Sequence, residues 1–597
     1  MRRQVTALLW RAVLAVALVC GIGLLPWLTR TDPALTVLKA RSADRDPTPE
    51  VLADIRARLG LDQGPFHLLG QWLGGLWHGD AGRSWLNGTE VTPAVLQALG
   101  VSLLLMAVAL VAAAVTAALV CARTLWLGAR RGLHGRRAGG GGSAVLAALP
   151  EFLTASVLAT VVGVHLGWLP ALGWYGPEWT VLPALALGLP AGAVLGRLLD
   201  DLLPGAFTEP WALAADARGL PGRRIARQAV RRCLPGLLPN LGLFVVGLTG
   251  GAVAVEQIFD IPGLGRTTLQ AALAQDLPVL QAGTLTLLLL AATAAGLAAL
   301  ATHRLAGPAL RDGALSSLHR PAPPARRTLP LVYGGLLLAV VAVGLPRDPL
   351  ALDTTARLQA PSGTHPFGTD ALGRDVLARV AHGALDTLLL AAAISAAALL
   401  TGVLLGLLPR VSGPLVDTVN AVPPVLLALL VTAVAGSGTA TPALAVGAVA
   451  WAPLAAHTAA LLRQERAALH LTATRGLGAS RPYLLRHELL PAVLPPVTRH
   501  ALLRLPGIAL ALASLAFLGL GAQPPSPEWG LLLAENQPYV ERAPWAVLAP
   551  AAVLALLGAF AVSAAGGMRW RGRRPRRRTP ATAVELPSRT PELVGTP

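Results

Sequence analysis

The groups able to do covalent chemistry in this 597-residue chain are few and badly spaced for it. Lys39 is the single lysine, and Val37-Leu38 stand before it where a phosphate-cradling loop needs glycine, so no G-x-x-x-x-G-K-[ST] motif exists. Cys20, Cys121 and Cys233 lie in or beside apolar stretches, with spacing that suits neither a disulfide framework nor a metal site. No Ser/His/Asp order and no H-E-x-x-H spacing offers a nucleophile or a zinc centre. What remains is charge set against apolar surroundings: Glu256 at one end of an apolar run, His165, Arg197, Asp200, His303 and His457 along others, and the compact group Asp370, Arg374 and Asp375.

Composition says what those charges are set against. Hydrophobic residues make up 54% and charged residues 13%, and mean hydropathy is +0.59. A soluble domain carries about a quarter charged residues, so the composition points to a polytopic membrane protein. About twelve apolar runs are long enough to cross a bilayer, near 8–28, 95–121, 143–167, 180–199, 237–256, 283–303, 328–346, 385–409, 416–435, 442–462, 497–519 and 546–567. The expected fold class is therefore all-α and polytopic.

The net charge of +18 would suit nucleic acid in a soluble protein, but the arginines sit between the apolar runs. Arg123, Arg130, Arg131, Arg136 and Arg137 join the second and third, Arg218, Arg223, Arg224, Arg227, Arg231 and Arg232 the fourth and fifth, and Arg569 to Arg578 follow the last. With both termini cytoplasmic all these segments fall on one side, as the positive-inside rule requires. No nucleic-acid partner is expected. The basic tail reads as an anchor to the bilayer surface, and 579–597 as disordered.

A Pro-, Ala- and Arg-rich stretch at 304–327 divides the spans six and six. Each half, 1–303 and 328–567, has an outer insert after its first span, at about 30–93 and 347–384, and a basic inner segment between its fourth and fifth, at about 205–235 and 463–491. Features matched in position describe a parallel internal repeat. The inner segments read Leu213-Ala-Ala-Asp-Ala-Arg-Gly219 and Thr472-Ala-Thr-Arg-Gly-Leu-Gly478. Small residues followed by glycine and a basic turn predict a short helix stopped at a Gly C-cap, then a second helix. One copy would be an unremarkable surface loop; two copies at equivalent places favour a docking element.

At these residues the sequence resembles the permease subunits of ATP-binding-cassette importers of the dipeptide, oligopeptide and nickel type. The first half is similar to one permease of the pair through Pro49-Glu-Val-Leu-Ala-Asp-Ile-Arg-Ala-Arg-Leu-Gly-Leu-Asp62, Gly79-Asp-Ala-Gly-Arg-Ser84, Leu166-Gly-Trp-Leu-Pro170 and Gly250-Gly-Ala-Val-Ala-Val-Glu-Gln-Ile-Phe-Asp-Ile-Pro-Gly-Leu-Gly-Arg266. The second resembles its partner through His365-Pro-Phe-Gly-Thr-Asp-Ala-Leu-Gly-Arg-Asp375, Phe517-Leu-Gly-Leu-Gly521 and Gln523-Pro-Pro-Ser-Pro-Glu-Trp-Gly530. The chain looks like two permeases fused end to end, each a six-helix half of type I importer architecture.

The resemblance implies that Ala214, Ala215 and Gly219, with Ala473 and Gly478, form coupling loops for cytoplasmic ATPases. The family's leading Glu is replaced by Leu213 and Thr472, Thr474 stands for an alanine, and Leu385 stands where a basic residue is expected. It further implies two ATP-binding-cassette subunits or domains as partners, which hold ATP and Mg, no cofactor in this chain, and an extracytoplasmic solute-binding protein. Expected localisation is the plasma membrane. Glu256 is a candidate for the translocation path or gate, with a helix-end carboxylate as the equal alternative. Asp370, Arg374 and Asp375 either clamp the outer loop or meet the binding protein, the clamp being preferred. Competing functions are an ion-coupled secondary transporter, disfavoured by the scarcity of buried carboxylates, and a non-transporting scaffold or sensor.

Overall fold

In a computed structural model the chain is helical almost throughout, with residues 13, 15–29, 32–41, 46–130, 146, 149–311, 328–420 and 422–567 described. The start of the first span, most of 131–148, most of the 304–327 linker and the tail from 568 lie outside the described residues.

Three short helices, α1 (Pro33–Arg41), α2 (Pro49–Arg58) and α3 (Pro65–Trp77), build the first outer insert. The first half continues with α4 (Val91–Ala129), α5 (Glu151–His165), α6 (Val181–Phe207), α7 (Pro210–Ala217), α8 (Gly222–Ile258), α9 (Leu264–Leu273) and α10 (Leu277–Arg311). The second contains α11 (Thr328–Gly344), α12 (Val376–Gly406), α13 (Pro409–Asn420), α14 (Pro424–Ala435), α15 (Ala440–Arg466), α16 (Leu469–Gly476), α17 (Arg481–Phe517), α18 (Trp529–Asn536) and α19 (Pro544–Gly567). Among the described residues seven helices are long and apolar enough to cross a bilayer, and α5, α11 and α14 are shorter apolar helices. From α4, and again from α12, the order long helix, half-length helix, long helix, short helix, long helix, short helix, long helix recurs, with α13 interposed after α12 in the second half.

The span expected at 416–435 is two helices. Val422-Pro423-Pro424 interrupts it, because consecutive prolines remove two backbone donors and push the preceding residue out of the helical region. Within the span expected at 143–167, α5 starts only after Pro150, whose backbone is extended. With 12 residues, α14 is only about 18 Å long, too short to cross the ~30 Å hydrocarbon layer alone. The span expected at 497–519 is longer than predicted, because α17 runs unbroken from Arg481 through a π-helical stretch at Leu484–Leu489.

Small residues let the long helices approach closely. Gly188, Gly192 and Gly196 repeat every four residues along α6 and face α4. A Cβ at these positions would come within 2.6–2.9 Å of Ala112, Thr116, Ala117 and Val120. In the second half the glycines lie on the partner helix: Gly402 and Gly406 of α12 meet Leu454, Ala455 and Thr458 of α15. Opposite faces carry large side chains, including Leu103, Leu104, Val111 and Leu119 on α4 and Leu389, Leu400 and Leu404 on α12, all exposed. In water such faces would aggregate; against lipid they are at equilibrium with a like solvent.

Candidate functional site: two helix turns and a cavity on the seam

The paired segments form the same structure twice. In the first half α7 ends at Ala217. Gly219 has φ +73°, its N–H donates to Asp216 O at 2.9 Å, and Leu220 N–H reaches back to Ala215 O at 3.1 Å. In the second half Gly478 has φ +88°, its N–H donates to Arg475 O at 3.1 Å, and Ala479 N–H reaches Thr474 O at 3.3 Å. These backward bonds close the helix end around a left-handed residue, a geometry glycine adopts without the penalty a Cβ would bring. Of the residues expected to dock, Ala214, Gly219, Ala473 and Gly478 are exposed and Ala215 is half-buried. Leu213, Leu469 and Leu477 also stand exposed around the turns, the last two almost fully.

Each short helix is seated by its own small apolar cluster, separate from the main core. Cys121, Leu203, Ala229 and Cys233 hold α7 with Trp211, and Leu462, Leu471, Leu484 and Leu489 hold α16. The first half adds a charged clamp: Glu209, at the N-cap of α7, accepts from Arg232 Nε at 3.0 Å and its terminal nitrogen at 2.8 Å, and from Trp211 Nε1 at 2.6 Å. A carboxylate is thus present beside α7, four residues before Leu213. The bidentate pair ties α7 to α8 at a partly buried site.

A cavity of about 470 Å³ lies on the seam between the halves. Leu149-Pro150-Glu151-Phe152 and Gly250-Gly251 line it from the first half, Val422-Pro423-Pro424-Val425 and Gly507 from the second. The two proline breaks therefore open onto one space. Phe152 packs on Phe517 of the other half, centroids 5.6 Å apart, and Gln275 Nε2 donates to Thr432 O across the same seam at 3.5 Å.

Glu256 does not line this cavity. Its carboxylate is fully buried, accepting from Ser102 Oγ at 2.6 Å and from Arg266 N–H at 2.9 Å, while Ser102 Oγ accepts from Leu264 N–H at 2.8 Å. It satisfies the free N–H groups at the start of α9, joining α4, α8 and α9 in one capped corner.

Asp370 and Arg374 are buried as well. Asp370 Oδ2 accepts from Arg374 Nε at 2.7 Å and from Arg379 at 3.0 Å, and both arginines reach Glu535 of α18, at 3.0 and 2.8 Å. Arg379 also donates to Ser526 O at 3.2 Å. This network fastens the second outer insert to α12 and α18 and leaves Asp370 and Arg374 little surface for a partner. Asp375 caps α12 through Leu377 N–H at 2.8 Å and pairs with Arg347 at 2.7 Å.

Comparison with known proteins is consistent with this duplicated arrangement. The family model of the binding-protein-dependent transport system inner membrane component matches twice, at residues 114–312 and 392–567. The chain belongs to that family. Among relatives, the di/tripeptide transport system permease protein DppC of Pseudomonas aeruginosa is 38% identical over 208 residues, 34% of this chain and 68% of its own. The dipeptide transport system permease protein DppC of Alkalihalophilus pseudofirmus is 32% identical over 227 residues, 36% of this chain and 74% of its own. Each such relative corresponds to one half, so the chain is a fused pair of permease units of the ATP-binding-cassette importer type. It is a multi-pass membrane protein.

Sequence reasoning missed several of these groups. The glycine ladder of α6 was legible as small residues at four-residue spacing. Glu209, placed before the docking motif, and Glu151, inside an apolar run, carried no motif signal. Arg379 and Glu535 acquire meaning only once folding brings their helices together.

Proposed function

We propose that the chain is the membrane path of an ATP-driven importer of small peptides, with both termini on the cytoplasmic side. The repeated turn at Gly219 and Gly478 carries the reading: two exposed helix ends of identical hydrogen bonding, one per half, suit two ATPase domains related by the same pseudo-symmetry. Closure of the ATPases would draw α7 and α16 together. Because α7 is clamped to α8, and α16 is followed by the unbroken α17, displacement reaches the two helices that flank the seam cavity. Access to the cavity would then alternate between the two membrane faces, the solute arriving from an extracytoplasmic binding protein seated on the outer inserts. Peptide is favoured as cargo by the relatives, which transport dipeptides and tripeptides by name.

Co-purification of the chain with candidate ATPases, followed by hydrolysis assays in lipid nanodiscs with and without loaded binding protein, tests this. Stimulated hydrolysis is the expected result. A folded chain that captures none of the ATPases, yet accumulates solute along an ion gradient, would replace the reading with secondary transport.

A further inference from the structure

The seam cavity is symmetric in backbone and asymmetric in charge. Pro150 and Pro423 occupy equivalent positions, as do Phe152 and Val425, but between them stands Glu151 on one side and Pro424 on the other. Among the described residues that line the cavity Glu151 is the only ionisable one, the remaining polar side chains being Asn420 and Ser514. Its carboxyl carbon lies against Gly251, 3.2 Å from where a Cβ would be, so the missing side chain is what makes room for the carboxylate at the seam. Among the described residues no arginine or histidine forms an ion pair with this carboxylate.

A partly buried carboxylate without an ion-pair partner among apolar walls is costly, and the cost is relieved by a cation that enters. As first residue of α5 it receives some support from the helix N-terminus, which favours the negative form. The cavity has the size of small-molecule sites, roughly 300–1,000 Å³, and its other walls are proline, glycine and aliphatic carbon, which grip no particular side chain.

We infer that Glu151 is a specificity-determining residue of the translocation path, pairing with the protonated amino group of the solute as it crosses the seam. The inference rests on the importer reading and names its cargo class: solutes bearing a free ammonium group, with little demand on the rest of the molecule. In the fused chain only one half supplies this charge, so the solute crosses with its amino end turned toward the first half.

The experiment uses the full chain assembled with its ATPases and binding protein in proteoliposomes, with radiolabelled dialanine as probe. Glu151→Gln should lower ATP-dependent dialanine uptake about tenfold, Glu151→Asp should restore most of it, and Glu151→Lys should abolish it. ATPase capture by each variant reports that it has folded. N-acetyl-dialanine, which lacks the ammonium group, should enter at a rate the Gln substitution does not reduce. Dialanine uptake within twofold of the parent protein in a folded Glu151→Gln variant would overturn the inference while leaving the importer reading intact. Absence of ATP-dependent uptake of either probe by the parent, despite ATPase capture and loaded binding protein, would instead defeat the importer reading and the inference with it.

Discussion

Gly219 and Gly478 offer the sharpest test of the docking assignment, because the structure separates backbone strain from steric clash. A Cβ built at either position meets nothing within 4 Å, so alanine would fit in space. Its cost comes from φ values of +73° and +88°, which an L-residue pays for at about 1–2 kcal/mol. If docking requires the closed helix end, Gly219→Ala alone should weaken ATPase binding about 5–30-fold, the factor that corresponds to this energy. The two turns belong to different halves and share no contacts, so the double substitution should approach the sum of the two energies. Asparagine, which tolerates the left-handed region, is the control: Gly219→Asn should bind within a few-fold of the parent protein. Titrating purified ATPase onto the chain in nanodiscs, with membrane insertion checked by protease protection, reads the effect. A double alanine variant that inserts and binds ATPase as tightly as the parent would remove the turns from the docking surface.

Arg379→Ala leaves Asp370 and Glu535 without their most buried partner, and breaking a buried charge network costs about 3–5 kcal/mol, so thermal unfolding in detergent should show a large loss that a surface arginine such as Arg475 does not match. Gly192→Leu drives a side chain into Thr116 and should separate α4 from α6, read as loss of the monodisperse chromatographic peak. Glu528, at the N-cap of α18, is pushed up to about 7, chiefly by burial, with Asp386 adding to the rise and the N–H groups of Leu531 and Gly530 opposing it. Its folded-state pKa lies above that of the unfolded chain, so its contribution is most favourable below about pH 4.5 and declines as pH rises toward 7 and beyond. Glu528→Gln should flatten the pH dependence of thermal stability between those values; an unchanged slope would show that Glu528 does not titrate there.

Much of the architecture was legible because lipid imposes a simple rule: long apolar segments separated by arginine-bearing connections can only be helices that cross and return. The docking turns were legible for a local reason, since a glycine after small helical residues fixes a helix end whatever surrounds it. The proline breaks were misjudged at 416–435, where a hydropathy window averages Val422-Pro423-Pro424 into its apolar neighbours although the backbone cannot continue through them. Glu256 was visible as an ionisable group at a helix end, but its role depended on Ser102 and on the start of α9, which the sequence places far from each other. Asp370 and Arg374 were read with Asp375 as a clamp within the outer loop, but the partners that bury them were not legible, because Arg379 and Glu535 lie on other elements.

Fusion changes what each half is free to become. In a permease built from two identical units a carboxylate in the seam would be duplicated, and two like charges facing one small cavity would repel, favouring protonation of one of them. Here one half carries Glu151 and the other Pro424, while the glycines that admit the helices to close contact are divided between α6 in one half and α12 in the other. The parts that would meet two ATPases on the proposed reading remain alike: both turns close through the same hydrogen bonds, and both short helices sit on their own apolar clusters. On the importer reading, Glu151 and Pro424 mark a difference where the two halves would face a single solute, and the turns a likeness where they would face a pair of ATPases. That division predicts that exchanging α7 and its turn for α16 and its turn should be tolerated, whereas exchanging Glu151 for Pro424 and Pro424 for Glu should alter uptake even though the composition of the cavity is conserved; ATPase capture and dialanine uptake measured on the two exchanges decide it, and loss of capture in the first with unchanged uptake in the second would invert the argument.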